Sequence, residues 1–518
     1  MNEKHNERYM WLALGVVIIG TFMAILDSSI VNIAIPKMMT IFGASTDQIQ
    51  WVLTGYMLTM GIVIPLTGYL GDSFGYKRVY IFALAVFTMG SALCGMAWST
   101  ETMVAARVVQ AIGGGMIMPV GMSMIYRIVP VEKRGLALGV WGISAMAAPA
   151  IGPTLSGYIV EYLDWRLIFT INIPVGVIGV ALAFIILQET PKIKNMRFDI
   201  WGALSIATGL FTLLLALSKV SAKGWTSSYT IIMFTISLLS LTTFVLIELN
   251  VKDPLLELRV LKIFPYSLSM VINVITTIGL FGGVFLTPLY MESLRGFTAM
   301  QTGILMLPSA ILTGLMMPVS GKLFDKFGAK GITVTGLGIL AACTYALSKV
   351  SMDTPYESVR LILALRGMGM GLCMMPIQTA GMNAVPMQLT GRASALNNTV
   401  RQVAGSVGIA ILTTILQHRQ VFHSVRYSES LNLTAPSVVQ AQTAIQGALA
   451  VHGLDQMTAR AGAMLQVYSR LMQQAMASAL DDTFLVSTFV CLAGIPLALL
   501  IRKADRPKKT QAPVELEF

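Results

Sequence analysis

Hydrophobic positions along this chain come in long unbroken runs rather than in the spaced stripes of a soluble helix, and short polar stretches punctuate them. The runs fall near 10–35, 47–70, 79–98, 102–126, 135–159, 165–188, 200–219, 227–249, 263–291, 300–320, 331–350, 358–382, 393–416 and 481–501. A helix rises ~1.5 Å per residue, so runs of about 20 residues cross a hydrocarbon layer of ~30 Å. The pattern predicts an all-α integral membrane protein with fourteen transmembrane helices. Composition agrees: 12% of residues are charged and 55% hydrophobic, whereas soluble domains carry about 25% charged residues. The first run is longer than a signal-peptide core and contains Asp27, so it reads as a retained span.

Charge then orients the spans. The net charge of +11 would suggest nucleic acid in a soluble protein, but here topology accounts for it. With the N-terminus inside, 22 Lys and Arg fall on inner segments or the C-terminal tail and 11 on outer ones, the bias of a multi-pass plasma or inner membrane protein with both termini cytoplasmic. Cys94, Cys343, Cys373 and Cys491 lie in apolar runs without metal-ligand spacing and read as core residues. The four histidines lie in the N-terminal tail or one outer loop, which leaves no intramembrane histidine for catalysis. Gly113-Gly114-Gly115 lacks the Lys and Ser/Thr of a phosphate loop, and none occurs elsewhere, so no nucleotide, metal or other cofactor is expected.

A repeat is visible in the loops. GYLGDSFGYKR at Gly68–Arg78 recurs as GKLFDKFGAK at Gly321–Lys330, 253 residues later, with the glycines, the Leu, the Asp and the Lys in register. Two six-span halves of parallel orientation follow, with a two-span insertion between them. The predicted organisation is an N-terminal tail (1–9), an N-terminal six-helix bundle (10–190), two inserted helices with linkers (191–262), a C-terminal six-helix bundle (263–502) that includes an outer connection (417–480), and a C-terminal tail (503–518). Parallel repeats of this kind build secondary transporters whose substrate site lies between the halves. The outer connection is Ala/Gln-rich with few Gly or Pro, which predicts helices.

The chemistry centres on Asp27, because a carboxylate in lipid costs roughly 2.5–3.5 kcal/mol on insertion scales and marks a functional site by default. Arg107, about five residues into the fourth span, reaches similar depth from the other side, with Gln110 one turn deeper. Asp27 and Arg107 are therefore read as a proton-coupling pair, with a static ion pair as the competing reading. Without nucleotide machinery, a buried titratable group is the natural device for coupling to protons. Further polar residues predicted to face the cavity are Asn32, Arg366, Gln378, Asn398, Arg401 and Gln402. Trp51 and Tyr56 read equally as interfacial aromatics or ligand platforms.

The repeated loops read as latches at the cytoplasmic ends of the halves. In the first, Gly68 and Gly75 permit close packing and a tight turn, Asp72 can cap a helix N-terminus, and Lys77 and Arg78 anchor the inner face. Gly321, Asp325, Gly328 and Lys330 are their counterparts. In the fifth span Ala145, Ala148, Gly152 and Ser156 form a small-residue stripe, and Pro149 and Pro153 permit a bend.

Together these segments resemble the major facilitator superfamily, and within it the fourteen-span drug:proton antiporters of the EmrB/QacA type. LDSSIVNIAIP at Leu26–Pro36 is similar to that family's first-span signature, with Ser29 where Thr is usual. RVVQAIGGG at Arg107–Gly115 resembles its fourth-span motif, whose Arg is implicated in proton transfer. The fifth-span antiporter motif maps onto Gly139, Ala148, Gly152, Pro153, Ser156 and Gly157, with Ala and Ser in place of two glycines, and Asp164–Gly176 looks like the family's start of span six. The resemblance implies two six-helix bundles related by a pseudo-two-fold axis plus two inserted helices. It also implies export of amphipathic, often cationic small molecules in exchange for protons, giving multidrug resistance. The outer connection 417–480 raises docking to a periplasmic adaptor protein if the source is Gram-negative. Span 13 offers Arg401 and amides where some polyspecific relatives carry carboxylates, which favours monocationic, neutral or anionic substrates over dicationic ones. A dedicated exporter of one metabolite, antibiotic or lipid would share every coupling motif. A membrane sensor or enzyme would need neither the duplicated loop nor the fifth-span motif.

Overall fold

The computed structural model describes residues 3–193, 196–430, 436–451 and 455–501. Among these residues every regular element is helical, and fourteen helices are long and apolar enough to span a membrane. They are α1 (Glu7–Phe42), α2 (Thr46–Phe74), α3 (Tyr76–Gly95), α4 (Thr100–Ile128), α5 (Val131–Tyr162), α6 (Leu167–Ile186), α7 (Ile200–Lys223), α8 (Ser228–Asn250), α9 (Phe264–Ser293), α10 (Met300–Phe327), α11 (Ala329–Leu347), α12 (Tyr356–Asn383), α13 (Met387–Glu429) and α14 (Gln456–Leu499). The face where α1 starts is the basal face, and the opposite one the distal face.

Each predicted span is present, and the largest differences lie at the ends. The first apolar run is read to Ile35, yet the helix continues through Pro36 to Phe42. In a membrane, neighbouring helices can re-satisfy the carbonyl that a proline frees. The distal connection is made mostly by α13 and α14 themselves, whose helices continue to Ser430 and start at Gln456, with a separate helix Pro436–Val451 between them. Asp455 caps the start of α14, accepting hydrogen bonds from the N–H groups of Met457 and Thr458. Hydrophobicity alone cannot mark those ends, because an Ala/Gln-rich helix continues on propensity after the apolar face has ended.

The bundles meet along α5 and α10. A Cβ on Gly139 of α5 would lie 2.6 Å from the Met317 carbonyl oxygen and the Pro318 Cα of α10. The inserted pair is asymmetric. α7 is wedged between bundles, with Leu214 and Leu215 against Leu58 of α2 and Leu217 and Val220 against Ala410 of α13. α8 has only 17% of its apolar window buried, so most of its surface is left to lipid. Among the described residues several spans are interrupted: α2 passes through a 3-10 turn at Ile64–Leu66 around Pro65, α6 breaks at Ile171 and α9 at Phe285.

Candidate functional site

Asp27 is completely buried and lies where five helices of the first bundle converge. Its Oδ2 accepts a hydrogen bond from Arg107 Nη1 of α4 at 2.6 Å, an ion pair in which Arg107 is 1% exposed. Its Oδ1 accepts from Gln110 Nε2 at 2.8 Å and from Asn172 Nδ2 of α6 at 2.9 Å. Gln110 also donates to Ser91 Oγ of α3 at 2.7 Å, and its Oε1 accepts from Arg107. The guanidinium stacks 3.8 Å from the ring centroid of Tyr56 in α2, and its Nε donates to the Val52 carbonyl at 3.4 Å. Withdrawing two ions from water costs several kcal/mol each, which only close pairing and extra hydrogen bonds offset. Here two amides and a π face supply those extra contacts.

The predicted trio of Asp27, Arg107 and Gln110 is thus one cluster. Asn172, Ser91 and the role of Tyr56 were not read from the sequence. Asn172 stands in the apolar run after Asp164, and the rule that singled out Asp27 applies to it as well. Ser91 carries no such signal. Tyr56 is buried beneath Arg107, whereas Trp51 is 38% exposed. Asn32 lies on an exposed face of α1 and donates back to the Ser28 carbonyl, outside the cluster.

The predicted polar residues of the second bundle are not gathered in the same way. Arg366 of α12 is buried and donates to the Gly279 and Leu280 carbonyls of α9 and to Thr344 Oγ1, so it serves the carbonyls just before the break at Phe285. No carboxylate forms an ion pair with it among the described residues. Gln378 lines a small cavity of about 10 Å³ with Asn273, Asn397 and Tyr266, room for about one water. Asn273 Nδ2 donates to Asn397 Oδ1 at 3.1 Å. Asn398 is buried and donates to the Ser394 carbonyl of its own helix, while Arg401 and Gln402 are half-buried further along α13.

At the basal face the repeated loops close the joint between the bundles. Gly75 and Gly328 both take positive φ, +90° and +84°, at the same repeat position between consecutive helices. Asp325 of α10 accepts from the N–H groups of Gly135 and Leu136, each at 3.2 Å, and so caps α5 across the bundle interface. Asp72 does not cap a helix as its sequence suggested. It forms ion pairs with Arg127 at 3.1 Å and Arg392 at 3.4 Å and accepts from the Tyr76 hydroxyl at 2.9 Å. The side chains that reach it occupy the place a backbone N–H would need. Lys77 donates to the Phe184 carbonyl at 2.8 Å, Arg78 makes an exposed pair with Glu189 at 3.1 Å, and Lys330 is exposed.

The fifth-span motif divides between two neighbours. Gly139 faces α10, whereas Gly152 packs on Ser29 of α1 and Ser156 Oγ donates to the Ile30 carbonyl at 2.8 Å. Ala145 and Ala148 are buried, Gly157 faces open space, and Pro149 is exposed within a helix that runs uninterrupted from Arg134 to Tyr162. The side chain of Pro153 lies outside the described residues.

The Major Facilitator Superfamily model matches residues 17–409. The chain is 37% identical over 507 residues to an uncharacterized MFS-type transporter, YhcA, of Bacillus subtilis (strain 168), covering 98% of this chain and 95% of that one. It is 30% identical over 420 residues to the multidrug transporter protein MdtP of the same organism, covering 81% and 77%. Among solved structures, the human organic anion transporter MFSD10 aligns with a TM-score of 0.60 at 13% identity, over 93% of this chain and 99% of that one.

Proposed function

Because the chain belongs to the Major Facilitator Superfamily and is a multi-pass membrane transporter rather than an enzyme, we propose that it exports amphipathic small molecules in exchange for protons, with Asp27 as the proton-carrying group. The observation that carries this reading is the complete burial of an Asp27–Arg107 pair inside one bundle, away from the bundle interface that must move. A carboxylate held by one cation and two amides has two states. Ionised, it fixes Arg107, Gln110 and Asn172 around itself. Protonated, it loses most of its attraction for the guanidinium, which then keeps the Tyr56 ring, Gln110 Oε1 and the Val52 carbonyl as partners. A proton arriving from the distal side thus releases Arg107 and loosens α4 against α1. Loss of the proton to the basal side draws the cluster together again, and substrate moves in the opposite sense.

The likeness to the multidrug transporter protein MdtP supports export of foreign amphipathic compounds, and protons as coupling ion require no bound cofactor. The test is reconstitution in liposomes with an imposed pH gradient and a panel of lipophilic monocations. Asp27→Asn should abolish gradient-driven accumulation, by about 100-fold or more for a group that carries the coupling proton itself. Accumulation in wild type that survives collapse of the gradient would overturn the proton reading. Accumulation of a single compound would point to a dedicated exporter.

A further inference from the structure

Glu257 belongs to no motif, yet it is 7% exposed on the linker between α8 and α9. It precedes the short 3-10 turn Leu258–Lys262, accepts from the Arg259 N–H at 3.4 Å, and has the Arg259 Nε 3.9 Å away. Its Oε2 lies 3.8 Å from Nη1 of Arg392 at the start of α13, which is also 7% exposed. Arg392 Nε in turn lies 3.4 Å from Asp72 Oδ2. One buried guanidinium is therefore shared between two carboxylates from different parts of the chain. Among the described residues neither Arg392 Nε nor Asp72 Oδ2 has a hydrogen-bond partner of good geometry, so charge more than directional bonding holds them together.

The two carboxylates belong to bodies that must part. Asp72 is on α2, whose Gly68 approaches α13 so closely that a Cβ there would lie 2.8 Å from the Arg392 Cα. Opening the basal joint carries Asp72 away from Arg392. Glu257 stays, because α9 is tied to α13 beside Arg392 by the Tyr266 hydroxyl, which donates to the Ala393 carbonyl at 2.8 Å. Asp72 is also provided for, since Arg127 and Tyr76 of its own bundle remain bonded to it. An ion left alone in a site shielded from water is strongly unfavourable.

We propose that Glu257 is the release partner of Arg392, the counter-ion that holds the guanidinium once Asp72 departs and so makes the basal open state accessible. It is a positioning residue, and the two carboxylates act in opposite senses: Asp72 favours the closed joint and Glu257 the open one. The role rests on the export proposed above, which requires the joint between the bundles to open and close in turn, though not on protons being the coupling ion.

The test is a spin-label distance measurement in nanodiscs between Phe74→Cys and Met387→Cys, exposed positions at the basal ends of α2 and α13. Glu257→Gln should lower the open-to-closed ratio about tenfold or more, the scale expected for stranding a buried charge. Asp72→Asn should raise it, and Glu257→Asp should restore the wild-type ratio. With Arg392→Gln in place, Glu257→Gln should change nothing, because the charge to be compensated is gone. If Glu257→Gln lowers thermal stability but leaves the ratio unchanged, or shifts it toward open, Glu257 is a structural cap and the proposal is overturned. In that case Asp72→Asn still opening the joint leaves the transport reading intact. A joint that stays closed in every variant removes alternating access and the proposal together, whereas failure of the Asp27→Asn assay removes only proton coupling.

Discussion

The two copies of the basal loop started from one pattern and close the joint by different physics. At Asp325 the carboxylate accepts two backbone N–H groups at the start of α5, and a Cβ on Gly135 would meet the Gly321 carbonyl at 2.5 Å. At Asp72 the same loop position meets Arg127, Arg392 and Tyr76. The source of the difference is the residue opposite. Arg134 turns inward to the Tyr126 and Val129 carbonyls and to Asn383, which leaves the N–H groups of α5 free for Asp325. Arg392 instead points at Asp72. The Asp325 contact is made to backbone dipoles and uses both carboxylate oxygens, whereas the Asp72 contact is made to two guanidinium charges.

The largest separation between them is expected from neutral replacement of the acids. Asp72→Asn strips the buried Arg392 and the half-buried Arg127 of a shared anion and should destabilise the closed joint by about 3 kcal/mol. Asp325→Asn should cost less, about 1 kcal/mol, because the amide keeps one of the two acceptor oxygens that hold the Gly135 and Leu136 N–H groups. Thermal unfolding of both variants in one detergent, together with transport rates, would decide it, and equal losses would erase the distinction. A smaller effect is expected at the turns, where Gly75→Ala and Gly328→Ala should each cost about 1–2 kcal/mol, since both need positive φ. Matching losses would show that the repeat conserves the backbone while the charges differ. Asp325→Ala removes both acceptors and should cost about 1–2 kcal/mol, the upper range for a helix cap, read as faster backbone hydrogen exchange at the start of α5.

Much of this was legible in the chain itself. Asp27 announced a buried polar cluster because lipid tolerates so few carboxylates, and Arg107 and Gln110 could be placed beside it by counting residues from the membrane edge. Counting fixes depth but not azimuth, so it could not separate Asn32, which faces outward, from Asn172, which completes the site from another helix. It likewise gave Arg366 to the cavity, although its neighbours are the α9 carbonyls.

What the sequence determined alone was the number of spans, their order, the internal duplication and the one carboxylate that needed an explanation. Each is set by local physics: the length of an apolar run, the cost of a charge in hydrocarbon, and the φ a loop requires. Tertiary structure decided which polar groups meet. Whether a loop aspartate caps a helix or binds guanidinium groups, and whether Glu257 shares a cation with Asp72, depends on side chains brought together from residues as far apart as Asp72 and Arg392. No local pattern encodes that proximity, because it is fixed by how the bundles pack.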